Sequence, residues 1–281
     1  MRRFHWVSLA AFAVVGFASA ASAADLPVKA PVGPVAVAPS WTGFYIGANV
    51  GGGWGSRSVS YVPNDLASIS LFSNPNLVQP SQSLNTSGVL GGLQLGYNWQ
   101  LNRSWLVGFE TDFDWSGMKG SASNSFGTVP IIETADEHIK WFGTVRARLG
   151  YLPMDNLLAY VTGGFAYGQV AHTGSYVNAS AAPGFAIGVP GFSVACFASS
   201  TCFAGSSSKV AAGWTLGGGF EYAFWQKWSL KAEYLYVSLG GTSVTELASV
   251  VAVPGDAPAS FNTNFGRANF NVARVGLNYR F

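Results

Sequence analysis

The stretch Ala268-Asn269-Phe270-Asn271-Val272-Ala273-Arg274-Val275-Gly276-Leu277-Asn278-Tyr279-Arg280-Phe281 alternates without error from Ala273 onward. Ala273, Val275, Leu277, Tyr279 and Phe281 are apolar, whereas Arg274, Gly276, Asn278 and Arg280 are polar or lack a side chain. Successive side chains of a strand point to opposite faces, so this segment has one oily and one wet face. A soluble sandwich uses the same alternation, so the solvent of the oily face must be read from the rest of the chain.

Seven earlier segments carry the same kind of pattern: about Phe44 to Trp54, Val89 to Trp99, Trp105 to Trp115, Ile139 to Tyr151, Leu157 to Tyr167, Val210 to Phe224 and Trp228 to Tyr236. The spacers between them alternate in length. Leu101 to Ser104, Leu152 to Asn156 and Trp225 to Lys227 are short, whereas Gly55 to Gly88, Ser116 to His138, Gly168 to Lys209 and Val237 to Arg267 are long and rich in Ser, Asn, Gly, Thr and Pro. Short turns at one end and long loops at the other predict an all-β fold, an eight-stranded antiparallel up-and-down transmembrane barrel with long extracellular loops. Phe185 to Val189 and Phe192 to Phe197, about Pro190-Gly191, read as a hairpin within the third long loop; counted into the wall, it would make ten strands.

Eleven strand charges fall on the polar faces: Glu110, Asp112, Asp114, Lys140, Arg146, Arg148, Glu221, Lys231, Glu233, Arg274 and Arg280. A charge facing lipid near mid-bilayer costs roughly 2 to 4 kcal/mol, so lipid contact demands such segregation. Five of the eleven are acids and six are bases. Matching Trp115 to Trp141 brings Glu110 level with Arg146, and matching Phe224 to Trp228 brings Glu221 level with Lys231. Since the interior of an eight-stranded barrel is only wide enough for side chains to fill, a salt-bridged plug is expected, with a narrow pore as the alternative.

The tryptophans give a second ruler. Trp41, Trp54, Trp99, Trp105, Trp115, Trp141, Trp214, Trp225 and Trp228 sit at or near the expected strand ends, as the aromatic girdles of a barrel do. Trp105 and Trp115, ten residues apart on one face, span roughly 25 Å of membrane normal at about 3.3 Å per residue and a tilt near 40°.

The start of the chain agrees. Arg2 and Arg3, the apolar run Val7 to Phe17 and Ala21-Ser22-Ala23 read as a signal peptide over residues 1–23, followed by a Pro-rich periplasmic linker over 24–40 and the barrel over 41–281. Without Arg2 and Arg3 the thirteen remaining bases balance thirteen acids, which leaves no basic footprint for nucleic acid. Charged residues make up only 10% and aromatics 15%, a balance short of charge for a water-exposed surface.

The chain resembles the small outer-membrane barrel proteins abundant in alphaproteobacteria, a surface-antigen and porin-like group related in architecture to OmpA and OmpX. The residues that carry the resemblance are Trp41 to Gly55, Gly91 to Gln100, Tyr160 to Gly168 and the last strand. The resemblance implies an outer-membrane home, contact with lipid and lipopolysaccharide, and biogenesis through the barrel-assembly machinery. Arg274, Gly276, Tyr279 and Phe281 look like the assembly signal of such chains. Activity is left open, because members of the group have been regarded as weak porins, structural surface proteins, adhesins and haemin binders; the surface ligand is unknown.

Chemistry-bearing residues are few. Cys196 and Cys202 are the only cysteines, and in an exported chain they are expected to pair. Pairing Tyr151 with Leu157 would set His138 and His172 diagonally adjacent on the inner face, a weak candidate metal or haemin pair without a further ligand. Ser175 near His172 and Glu137 beside His138 form no recognisable catalytic constellation, so neither an enzyme nor a cofactor is expected.

Overall fold

The computed structural model describes residues 40–281 apart from 76, 127–130 and 182–183; the expected signal and nearly all of the linker lie outside the described residues. The elements in chain order are β1 (Gly43–Pro63), α1 (Leu66–Phe72), β2 (Ser81–Gln100), β3 (Trp105–Phe126), β4 (Ile131–Met154), β5 (Leu157–Asn178), β6 (Phe185–Val189), β7 (Phe192–Cys196), β8 (Ser200–Ala223), β9 (Trp228–Leu239), β10 (Thr242–Ala248), β11 (Ala257–Pro258), β12 (Ser260–Phe265) and β13 (Ala268–Arg280).

Eight strands close a ring in the order β1-β2-β3-β4-β5-β8-β9-β13, with β13 returning to pair with β1. All neighbours are antiparallel. Closure leaves no free edge, which lipid requires because it offers no partner to an unpaired backbone amide. The ladder places Trp115 opposite Trp141, Glu110 opposite Arg146 and Glu221 opposite Lys231.

The strands run much further than the alternation within the apolar band indicates. A tilted strand crosses a bilayer in about 9–11 residues, yet β1 has 21 and β4 has 24. Most of the four long spacers is therefore wall rather than loop. Beyond the level of Trp54 and Trp115 the sheet continues outward, and there β10 and β12 take over from β9 and β13: β12 pairs with β1, β10 with β12, and Leu247 and Ala248 of β10 with β8. The outer end carries α1 and the hairpin of β6 and β7, which pairs with β11 and not with the ring. Gly191 supplies the positive φ of 85° that the Pro190-Gly191 turn requires. The ring accordingly has eight strands, not ten.

At the other end the turns are short. Met154 pairs with Leu157, and Tyr151 pairs with Ala159 rather than with Leu157.

Candidate functional site

The interior is layered, and each layer follows from which residues alternate inward. Trp41, Leu106, Leu152, Leu158, Tyr160 and Ala223 form an apolar floor at the end with the short turns. Trp41 is thus inside and not part of an outer girdle. Its ring lies under Arg280, with the guanidinium carbon 4.4 Å from the ring centroid, and its Nε1 donates to the Asp155 carbonyl at 3.0 Å. Preceding the first alternating residue of β1, Trp41 is free to fold across the mouth. Arg280 donates to the carbonyls of Ser40 and Gln226 at 3.2 and 3.4 Å and, among the described residues, reaches no carboxylate. The other eight tryptophans among the described residues sit on the outside: Trp54, Trp99, Trp105, Trp115, Trp214, Trp225 and Trp228 are exposed, and Trp141 partly so.

Above the floor lies an ion network. Arg146 is held by Glu110, by Asp112 at 2.7 Å and by Glu233 at 3.0 Å. Arg274 reaches across to Asp112 at 2.7 Å, Asp114 at 2.6 Å and Glu233 at 2.6 Å. Lys231 bonds Glu110 at 2.7 Å and Glu233 at 3.3 Å, and Arg148 bonds Glu221 at 2.9 Å. All nine charged groups are buried. Their partners lie mostly across the lumen rather than beside them on the ladder: Glu221 sits level with Lys231 but pairs with Arg148.

Neutral side chains complete this network. Tyr45 donates to Glu110 at 2.6 Å and accepts from Arg148 at 2.9 Å, and Tyr160 donates to Glu233 at 2.9 Å. Ser229 and Asn278 donate to Glu221 at 2.5 and 2.9 Å, while Gln94 donates to Asn278 at 2.5 Å. Gly96 makes room for this arrangement: a Cβ there would collide with the Tyr45 ring and hydroxyl. Sequence reasoning missed Tyr45, Gln94, Tyr160, Ser229 and Asn278, although each sits on the wet face by simple alternation.

Next comes an apolar plug that includes Leu90, Met118, Ile139, Phe142, Leu235, Val237, Phe270 and Val272. Phe142 and Phe270 meet edge to face at 5.4 Å. Beyond it a second polar group joins Arg57 to Glu137, with His172 Nε2 3.1 Å from the same carboxylate and Thr86 donating to it at 3.1 Å. Burial, then the field of Arg57, holds the His172 imidazole down at about 3, and burial lowers Arg57 to about 10. The outermost core includes Val59, Tyr61, Leu71, Tyr176, Phe203, Phe261 and Phe265. It contains two buried acids. No cation reaches Glu133 or Glu246 in ion-pair range among the described residues. Burial, then the field of Glu246, pushes Glu133 up to about 8; burial pushes Glu246 up to about 7, although the Thr263 hydroxyl donates to it.

Two further sequence expectations fail at one place. Ile139 pairs with Val170 and Trp141 with Gln169, so Lys140 is an extra residue in β4. A bulge of one residue reverses which side chains face inward. Below it the inward residues are Arg148, Arg146, Thr144 and Phe142; above it they are Ile139, Glu137, Ala135 and Glu133. Lys140 is therefore exposed on the outside, and His138 turns outward while His172 is buried. The two histidines are on opposite faces and form no pair. Among the described residues no group of three or more His, Cys, Asp or Glu side chains could hold a metal ion. Cys196 and Cys202 are joined as a disulfide in the outer cap. Tyr279 faces out against Trp228 and Phe281, with ring centroids 5.1 and 5.4 Å away, and Phe281 is exposed.

Comparison with known proteins places these features in a group. Residues 10–281 match the family described as "Outer membrane protein beta-barrel domain". The chain is similar to the 31 kDa outer-membrane immunogenic protein of Brucella melitensis, 38% identical over 281 residues, covering 98% of this chain and 99% of that one. It is also similar to the 22 kDa outer membrane protein of Rhizobium leguminosarum, 33% identical over 140 residues, covering 49% and 48% of the two chains. Among solved structures, the outer membrane protein OprG from Pseudomonas aeruginosa matches at 10% identity and a TM-score of 0.43, covering 85% of this chain and 97% of that one.

Proposed function

Because the chain belongs to the outer membrane protein beta-barrel domain family, and so resides in the outer membrane, we propose that it serves as a closed barrel with a structural and surface-presenting role. The observation that carries this reading is the filled interior. The floor around Trp41, the ion network of Arg146 and Arg274, the Phe142 and Phe270 plug and the outer apolar core succeed one another along the axis. A solute would have to displace all four layers, and buried ion pairs broken without replacement cost several kcal/mol each.

On this reading the outer half exists to hold a surface. The strands lift α1, the β6–β7 hairpin and the Cys196–Cys202 disulfide well beyond the aromatic boundary. The Brucella relative's name describes an immunogenic outer-membrane protein, which fits a displayed surface. The partners are outer-membrane lipid, lipopolysaccharide and, during biogenesis, the assembly machinery reading Arg274, Gly276, Tyr279 and Phe281. No catalytic role is included, since His172 faces inward onto Glu137 whereas Ser175 bonds Thr134 Oγ1 at 2.6 Å on the opposite face.

The test is solute flux. Liposomes carrying the folded protein should swell in small sugars and amino acids no faster than empty ones; swelling that falls with solute size would establish the weak-porin alternative instead.

A further inference from the structure

The five acids of the lower ion network each meet a guanidinium or ammonium group, whereas the outer core holds two acids that meet none among the described residues. Glu133 of β4 and Glu246 of β10 are each only 1% exposed, at the level of Tyr61, Ala135, Tyr176, Val244 and Phe261. Neither carboxylate oxygen of Glu133 has a hydrogen-bond partner; Glu246 Oε2 has none either, while its Oε1 accepts from the Thr263 hydroxyl. Burying a charge without a partner is costly, and an aromatic core has no use for one.

The two acids converge. Glu133 is opposite Tyr176 on β5, which makes Gly174 its diagonal neighbour, at roughly 7–8 Å. Glu246 reaches across the interior to that same glycine, where a Cβ would collide with its Oε1 and Cδ. Opposite Glu133 on β3, the buried Asn124 Nδ2 is also without a partner, so orphaned polar atoms gather here from three strands. The field of Glu246 acts on Glu133, and both act on Tyr61 of β1.

Converging carboxylates with a hydroxyl beside them are the ligands of a hard cation, and their two negative charges match a divalent one. His172, the buried imidazole of this half, is taken up by Glu137, which leaves an all-oxygen donor set. Glutamates carried on separate strands suit calcium, which tolerates irregular geometry, better than magnesium, which demands a near-ideal octahedron.

We propose that Glu133 and Glu246, with the Thr263 hydroxyl beside them, bind a calcium ion in the outer core and so tie β4 to β10 beneath the surface cap. Without the ion, protons take its place on the two acids. The site lies above the membrane-level layers and stands whether or not the lumen conducts.

Equilibrium dialysis against radioactive calcium, on protein refolded into micelles with calcium present, tests it. The parent should bind a single ion, and E133Q and E246Q should each lose at least about tenfold in affinity, since ligand charge sets calcium affinity. Both variants should keep the heat-modifiable migration of a folded barrel, because in a chelator each removes a buried acid rather than a partner. D136N, which removes an exposed acid from the same half, should bind as the parent does. Calcium should also raise the parent's urea midpoint above its value in EDTA, as a ligand of the folded state must. No bound calcium at millimolar concentration, or no shift in that midpoint, would overturn the proposal. So would undiminished binding in E133Q and E246Q, or a loss in D136N, which would place the ion on the outer surface.

Discussion

One barrel carries two opposite rules along its length. In the lower half of β1, Phe44, Ile46, Val50 and Trp54 face out while Tyr45 and Asn49 face in; beyond Gly55, Ser56, Ser58 and Ser60 turn outward while Val59 and Tyr61 are buried. The alternation never stops, but its polarity inverts at the aromatic boundary. Lipid outside demands apolar side chains outward and leaves the polar ones to satisfy each other within; water outside demands the reverse, an ordinary apolar core.

The buried acids expose the difference. In the lower half Glu110, Asp112 and Glu233 each meet a guanidinium or ammonium, whereas Glu133 and Glu246 lie in the upper core with no such partner among the described residues. Removing the cation below should therefore be worse than removing the acid above. Arg146→Ala leaves Glu110, Asp112 and Glu233 facing one another with less counter-charge, and should cost on the order of 3–5 kcal/mol. Urea unfolding in micelles, followed by tryptophan fluorescence, measures it. Loss of less than about 1 kcal/mol would mean that the network is not what holds the lower half.

The smaller effect has the opposite sign and depends on pH. The folded chain keeps the Glu133 proton to about 8 and the Glu246 proton to about 7, whereas the unfolded chain releases both near 4.5. Between those values the folded state binds more protons, so stability falls as pH rises, by about 1.4 kcal/mol per pH unit for each group. His172, held down at about 3, acts oppositely below 6.5 and offsets one acid there. Tyr61 and Tyr176, raised further by burial and by Glu133, stay neutral throughout. Glu133→Gln should raise stability at pH 8 and reduce the slope between pH 6.5 and 8. An unchanged slope would show that Glu133 is not carrying a buried proton.

The same inversion explains what could be read from the sequence. Ala273 to Phe281 and Trp105 to Trp115 obey the membrane rule, so the ring, its turns and ten inward charges follow from alternation alone. The outer strands resemble loops in composition because Ser58, Ser60, Asn262 and Asn264 are polar on the side that faces water, unless Val59, Tyr61, Phe261 and Phe265 are read between them. Lys140 and His138 depart from the simple alternation because of a single extra residue. Trp141 and Phe142, adjacent and both apolar, were the available sign that alternation breaks there. Cross-lumen partners such as Arg148 with Glu221 depend on how the sheet curls, which ladder neighbours do not specify.

The central claim is that the layers leave no path through the barrel, and current across a planar bilayer tests it most directly. The parent protein should give no stable unitary conductance at any voltage the membrane withstands. Steady channel openings whose size changes in Arg146→Ala or Glu110→Ala would contradict the account, because they would place an ion path among the very charges said to close it.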